Sequence, residues 1–489
     1  MLPLKICLVS SEVAPLAKTG GLADVVAALG AELARRGHDV RVFMPLYRRL
    51  REAGRPLVPV PGMGNLSVSL GPRSGRISVF STTIERTGLE VSCIDCPELY
   101  DREGIYTADE DEHLRFALLA RASLVACQAT SWAPDIVHCN DWHAGLLPLY
   151  LKLLSSWEDL FARTRTVLTI HNIGYQGMVS ADAVHDLGLD DATHLLHQED
   201  FAAGKINFLK TGLLYADAIT TVSTTYAREI QTEELGMGLD GLLRERSSNV
   251  IGIVNGVDYG EWSPENDELI PASYSSEDLS GKLENKRILL ESLGLEPGDD
   301  VPVFGVVSRL VYQKGFELLF EPLAEMLSGR DVRVAVLGSG EQKYEEAFAD
   351  LERRFPGRMC FYRGYDNALA HLIEAGSDAF LMPSLYEPCG LNQMYSLRYG
   401  TIPIVRRTGG LADTVRLFDR HTGEGTGILF DQFDPEGVRW ALTYALDLWA
   451  DRPAWERMQS NAMAEDFSWE QQTAAYEELY YQLKAAAPA

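Results

Sequence analysis

Two doubly wound α/β halves are predicted for this chain, on three observations. Short apolar runs alternate with helical patterns along most of its length, the signature of a largely parallel sheet flanked by helices. Its 489 residues exceed what one ordinary core organises, and a hydrophobic content of 46% is ample for two. The segment Lys18-Thr19-Gly20-Gly21-Leu22-Ala23-Asp24-Val25-Val26 returns almost letter for letter as Thr408-Gly409-Gly410-Leu411-Ala412-Asp413-Thr414-Val415. Such a repeat suggests two similar units that present similar loops to one site.

The first copy follows the apolar run Ile6-Cys7-Leu8-Val9 and opens a helical pattern with Leu22, Val25, Val26, Leu29 and Leu33 on one face, ended by Gly37. Paired glycines let backbone approach a bound group, and free N–H groups at a helix start favour an anion such as phosphate. Lys18 adds a positive charge to the same loop. Further strands are expected at 40–44, 77–82, 89–94, 136–139, 167–170 and 218–222. In a doubly wound sheet, ligands sit beyond the carboxyl ends of the strands. Three motifs lie there: His138-Cys139-Asn140-Asp141-Trp142-His143, Ile170-His171-Asn172-Ile173-Gly174, and Val254-Asn255-Gly256-Val257-Asp258. Taken singly, Asp141 also reads as a helix cap, His143 and His171 as core imidazoles, and Asn255-Gly256 as a turn. Their shared placement, with amide and aromatic neighbours suited to hydroxyl groups, points to a carbohydrate site.

The pattern loosens between about 261 and 300, the expected crossing between domains. The second half opens with the strand 303–307, followed by Ser308-Arg309-Leu310-Val311-Tyr312-Gln313-Lys314-Gly315, read as a loop carrying two cations. In an acidic protein, cations in that position are good ligands for a diphosphate. Tyr365 reads either as a core ring or as a stacking platform for a base. A buried strand then leads into Glu387-Pro388-Cys389-Gly390-Leu391, with a helix expected to start at Gly390. Glu387 there is either a cap or a group that holds a sugar hydroxyl while helix amides take phosphate.

A net charge of −26 excludes nucleic-acid and anionic-membrane partners, which want lysine and arginine in excess. No apolar run approaches membrane-spanning length, and the chain passes from Met1 directly into a strand without a signal segment, so a cytoplasmic protein is expected. Seven scattered cysteines, Cys93 and Cys96 among them, fit reduced thiols. The ten histidines form neither an HExxH nor a spaced cluster, and no protein-bound metal is expected.

Together these motifs resemble the bacterial glycogen synthases and the related starch synthases over essentially the whole chain. The resemblance rests on the Lys18–Val25 segment, Asn140-Asp141-Trp142-His143-Ala144-Gly145, Ile170-His171-Asn172, Ser308-Arg309-Leu310, Gln313-Lys314-Gly315, Glu387–Leu391 and Arg406–Asp413. It implies a GT-B fold, two Rossmann-like domains facing a deep cleft. The first would span 1–260 and the second 261–465, with 466–489 returning to the first as a helix that starts after Ser468. It implies retaining transfer of glucose from ADP-glucose to the non-reducing end of an α-1,4-glucan, with no cofactor beyond the donor substrate. Carried onto matching positions, Lys18, Gly20 and Gly21 meet the donor, Arg309 and Lys314 hold its diphosphate, and Tyr365 stacks on adenine. Cys389, Gly390 and Leu391 offer backbone groups at a helix start; His171, Asn255 and Glu387 hold the glucosyl unit; Asp141 lies toward the acceptor. Related transferases place a second glutamate eight residues after the first, where this chain has Tyr395, so a ribose contact from it does not carry over. A UDP-glucose-dependent glucan synthase, a glycan phosphorylase with a pyridoxal-bearing lysine, a sugar-nucleotide epimerase and a non-catalytic glycan-binding protein are the alternatives.

Overall fold

The computed structural model describes residues 2–155 and 158–486; the expected start of the chain at Met1 lies outside the described residues. The chain forms two compact units, one of Met1–Val222, Ala227–Gly256 and Trp469–Ala489, the other of Ser223–Tyr226 and Val257–Ser468.

Among the described residues the first unit holds twelve strands: β1 (Lys5–Val9), β2 (Asp39–Pro45), β3 (Val58–Pro59), β4 (Leu66–Leu70), β5 (Arg73–Ile84), β6 (Leu89–Asp95), β7 (Ile136–Asn140), β8 (Arg165–Ile170), β9 (Met178–Ser180), β10 (Lys205–Asn207), β11 (Ala218–Thr221) and β12 (Val250–Gly252). Ten of them make one sheet, ordered β12-β11-β8-β7-β1-β2-β6-β5-β3 with β4 on β5. From β12 to β6 the strands are parallel. The edge is not, because only residues 85–88 join β5 to β6; that turn is too short for a crossover and forces an antiparallel hairpin. Chain order reverses at β1, whose neighbours are β2 on one side and β7 on the other. A ligand crevice belongs at the carboxyl end of strands flanking such a switch point.

Leu22, Val25, Val26, Leu29 and Leu33 of the helix Gly21–Arg35 are buried as the periodicity predicts, and Gly37 ends it with a φ of +90°. The helix Trp469–Ala485 lies in the same unit, buried through Trp469, Tyr476, Leu479 and Tyr480. It is tied down by polar contacts of Glu477 with Arg36 and His38, and by a 2.7 Å hydrogen bond between Tyr480 and His138. A Cβ on Gly256 would lie 2.6 Å from the Trp469 indole, so only glycine lets the chain pass there.

The second unit carries β13 (Val303–Leu310), β14 (Arg333–Gly340), β15 (Met359–Arg363), β16 (Ala379–Met382), β17 (Ile402–Arg406) and β18 (Ile428–Phe430), all parallel in the order β15-β14-β13-β16-β17-β18. Its switch point lies between β13 and β16. Both faces are covered, one by a core that includes Phe304, Val306, Leu381 and Ile404, the other by one that includes Val303, Phe380 and Val405. The loosened stretch 261–300 folds within this unit and includes the helix Ser280–Ser292. Among the described residues no helix is long and apolar enough to cross a membrane.

Candidate active site

In the second unit the switch point gathers the loops after β13 and β16, and the two are cross-braced. β13 runs three residues beyond the expected 303–307, so Arg309 is an exposed residue at the end of the strand rather than part of a loop. Lys314 closes a short 3-10 turn, Tyr312–Lys314, after which Gly315 takes a φ of +67°. A Cβ on Gly315 would sit 2.2 Å from the Pro383 carbonyl oxygen, so glycine is required for this loop to lie against the one after β16. The Leu385 N–H donates to the Gln313 carbonyl at 2.9 Å, and Gln313 Nε2 donates to the Tyr386 carbonyl at 3.2 Å. Within that brace, Lys314 Nζ donates to Glu387 Oε2 at 2.6 Å and Ser384 Oγ donates to the same oxygen at 3.0 Å. Glu387 is only 5% exposed. A buried carboxylate with a cation and a hydroxyl on it is a paired charge, and its capping role is not observed: the following helix begins five residues later.

That helix, Asn392–Tyr399, starts two residues after the expected Gly390, which instead takes a φ of +74° in the turn before it. Gln393 fixes the turn by donating to the carbonyls of Cys389 and Gly390 and to Thr414 Oγ1, at 2.9, 3.2 and 3.1 Å. Glu387 to Leu391 are thus held beside a helix start whose first amides have no partner inside the helix.

The two glycine repeats do different work. In the second, Gly409 has a φ of +44°, and a Cβ there would lie 1.8 Å from the Glu387 carbonyl oxygen; one on Gly410 would lie 2.1 Å from that of Cys389. Gly410 N–H donates to the Glu387 carbonyl at 3.0 Å. This copy is a clamp on the Glu387 turn, which corrects the expectation of two similar loops. In the first copy a Cβ on Gly20 meets nothing within 4 Å, so that loop keeps its open backbone. Asp24 pairs with Lys18 at 2.8 Å, whereas Asp413 accepts from the N–H and hydroxyl of Thr225.

In the first unit, the loop after β1 is held by a residue that sequence reasoning missed. Glu12, 2% exposed, accepts from the N–H and hydroxyl of Thr19 and from the Tyr106 hydroxyl. Its position three residues past the first strand was the signal available. Beyond β7, Asp141 is no cap: its side chain makes no such bond, and its Oδ1 instead accepts the His171 N–H at 2.7 Å and the Asn172 N–H at 3.4 Å. Asp141 has φ +55° and ψ −173°, a strained conformation for a residue with a Cβ. Burial pushes its carboxyl up to about 7, against the pull of those two N–H groups, and the Glu12 charge adds to the rise.

His171 bonds Asn140 Oδ1 through Nε2 at 2.9 Å, and burial, with the neighbouring His138, pushes it down to about 3. It is a neutral ring. His143, stacked 4.8 Å from Tyr106, is held well below its ordinary range by burial as well. Asn255 is buried beyond β12 and its Oδ1 has no hydrogen-bond partner among the described residues. The structure therefore joins Lys314, Glu387 and the Cys389–Leu391 turn, and joins Asp141 with His171. Lys18 makes its contact with Asp24, and Tyr365, 73% exposed after β15, bonds Asn367 rather than packing in the core. Tyr395, at the position of the second glutamate, is turned inward and stacks on Trp262 at 4.0 Å. Among the described residues no group of three His, Cys, Asp or Glu side chains is arranged to hold a metal.

Two Rossmann-like units, each with charged groups at its switch point, fit a glycosyltransferase of the GT-B class. Comparison with known proteins agrees: residues 5–245 match the family model described as the starch synthase catalytic domain, and 294–464 that of glycosyl transferases group 1. The chain is 47% identical to a glycogen synthase from Myxococcus xanthus, across 99% of this chain and all of that protein, and 43% identical to one from Treponema denticola, across 98% of each. The catalytic domain of starch synthase IV from Arabidopsis thaliana, solved with ADP and acarbose, is similar at a TM-score of 0.90 and 34% identity, covering 99% of this chain and 100% of that one. Sucrose-phosphate synthase from Thermosynechococcus elongatus, at 18% identity and a TM-score of 0.59 over 98% and 99%, shares the fold alone. The chain belongs to the glycogen and starch synthase family.

Proposed function

We propose that this enzyme transfers glucose from ADP-glucose to the non-reducing end of an α-1,4-glucan, with retention at the anomeric carbon. The observation that carries this reading is the Lys314–Glu387 pair, a cation suited to a diphosphate and a carboxylate suited to a sugar, 2.6 Å apart. Arg309 and Lys314 hold the diphosphate with the backbone of Cys389, Gly390 and Leu391. Lys18 and the Gly20-Gly21 amides meet the donor from the first unit's loop, and Tyr365 stacks on adenine. His171, Asn255 and Glu387 hold the glucosyl unit; Asp141 serves the acceptor.

Breaking the anomeric bond leaves positive charge on the sugar and negative charge on the departing ADP. The preorganised cations and amides stabilise the leaving group, and Glu387 stabilises the ring. A neutral His171 is suited to hydrogen-bonding a sugar hydroxyl without repelling the developing cation. We favour same-face attack: the acceptor hydroxyl bonds to the anomeric carbon as the phosphate oxygen leaves, and that oxygen takes the acceptor's proton. No resident cofactor is invoked. Seven scattered cysteines, odd in number, support a reducing compartment, the cytoplasm.

The test is an assay with ADP-glucose and UDP-glucose side by side on one glucan primer. ADP-glucose is expected to give the higher kcat/KM; a preference for UDP-glucose overturns the donor assignment.

A further inference from the structure

Lys314 and Ser384 both reach the same oxygen of Glu387, Oε2, at 2.6 and 3.0 Å. Their circumstances differ. Lys314 sits on a short 3-10 turn, its side chain 19% exposed, and is the residue the proposed function gives to the donor's diphosphate. Ser384 is fully buried, two residues past the end of β16 and within a loop fixed by Gly315 and Gln313. A diphosphate carries more negative charge than one carboxylate and offers more acceptor oxygens, so it competes for Lys314. If the ammonium turns to the diphosphate, Glu387, which is 5% exposed in this structure, loses a strong partner. A buried carboxylate left without donors swings or draws in water.

We propose that Ser384 is a positioning residue: its hydroxyl keeps Oε2 in place when the donor draws Lys314 away, leaving Oε1 directed to the sugar. This rests on the assignment of Lys314 to diphosphate and of Glu387 to the glucosyl unit. Ser384 touches neither the donor nor the acceptor; it acts through Glu387. The Lys314–Glu387 pair is then the contact that yields to the donor, and the Ser384–Glu387 bond is the one that persists.

The experiment is a double-mutant cycle on the full chain, reading kcat with ADP-glucose and a maltohexaose primer, Kd for ADP, and Tm. Ser384→Ala is expected to lower kcat about tenfold to a hundredfold, the usual effect of losing a hydrogen bond to a charged group. ADP affinity should stay within twofold, and Ser384→Thr, which keeps the hydroxyl, should retain most of kcat. In a Glu387→Gln background the alanine change should lower kcat no further, because the charge it positions has gone. A Ser384→Ala kcat within twofold of the parent, an equal loss in both backgrounds, or failure of that variant to fold overturns the proposal. If Glu387→Gln alone leaves kcat unchanged, the reading of Glu387 fails instead.

Discussion

Glu387 and Asp141 are both buried carboxyl groups, and their partners divide their roles. Glu387 faces a cation; removing its charge frees Lys314 and, on the proposed reading, deprives the sugar of a partner. Glu387→Gln should therefore lose on the order of a hundredfold in kcat, by analogy with losing one preorganised electrostatic group. ADP, which lacks the glucose, should bind severalfold more tightly because no carboxylate competes for the lysine. Kinetics and calorimetric titration of that one variant check both, and weakened ADP binding would contradict the pairing. Asp141 is held by the N–H groups of His171 and Asn172 instead, and burial has raised it from 3.8 to about 7. A carboxyl raised in the folded state favours folding fully below its unfolded value and loses that contribution as pH climbs through the folded one. Across roughly pH 4 to 7 the parent should lose stability that Asp141→Asn, which does not titrate, keeps, with a ceiling of about 4 kcal/mol for a three-unit shift. The variant is expected to melt above the parent at pH 8, to converge toward it near pH 4, and to turn over slowly. A melting difference that does not change with pH would contradict the buried charge.

At the scale of loops and helices, the repeated glycine pair separates appearance from use. Gly20 has an extended φ of −159° and open space where a Cβ would go, so Gly20→Ala should leave Tm within a degree or two while impairing donor use. Gly409→Ala meets a carbonyl oxygen at 1.8 Å from a left-handed backbone and should cost about 2 kcal/mol or more, displacing the Glu387 turn with it. Thermal melts of the two variants decide it; equal effects would mean the copies are equivalent. The sequence made the parallel strands legible, because buried strands read as apolar runs, and it placed Lys314, Glu387 and Asp141 at strand ends. It did not distinguish the two glycine loops, since a tight contact made at long range leaves no local mark. For the same reason Glu12 went unseen, its partners Thr19 and Tyr106 being identifiable only once the loop is folded. The overlong β13 was missed because Ser308 and Arg309 are polar, and polar residues at the open end of a strand look like a loop in one dimension.

For the whole molecule, each unit's sheet reverses its order at a parallel strand that bears charged loops: Lys18 and Asp141 follow β1 and β7 at the first switch point and Lys314 and Glu387 follow β13 and β16 at the second, whereas His171, Asn255 and Tyr365 follow strands farther out. In the proposed mechanism the positive charge for the leaving diphosphate comes from Arg309, Lys314 and helix amides, so turnover is expected to persist in excess EDTA; loss of activity restored by magnesium or manganese would assign that charge to an ion instead. The most direct test of the account is an NMR time course of ADP-glucose and maltohexaose with the full chain. The account predicts one ADP released for each new α-1,4 linkage at the non-reducing end, with no dependence on inorganic phosphate. A β-linked product, free glucose or a free sugar-nucleotide isomer without chain growth, or growth that requires glucose 1-phosphate, would contradict it.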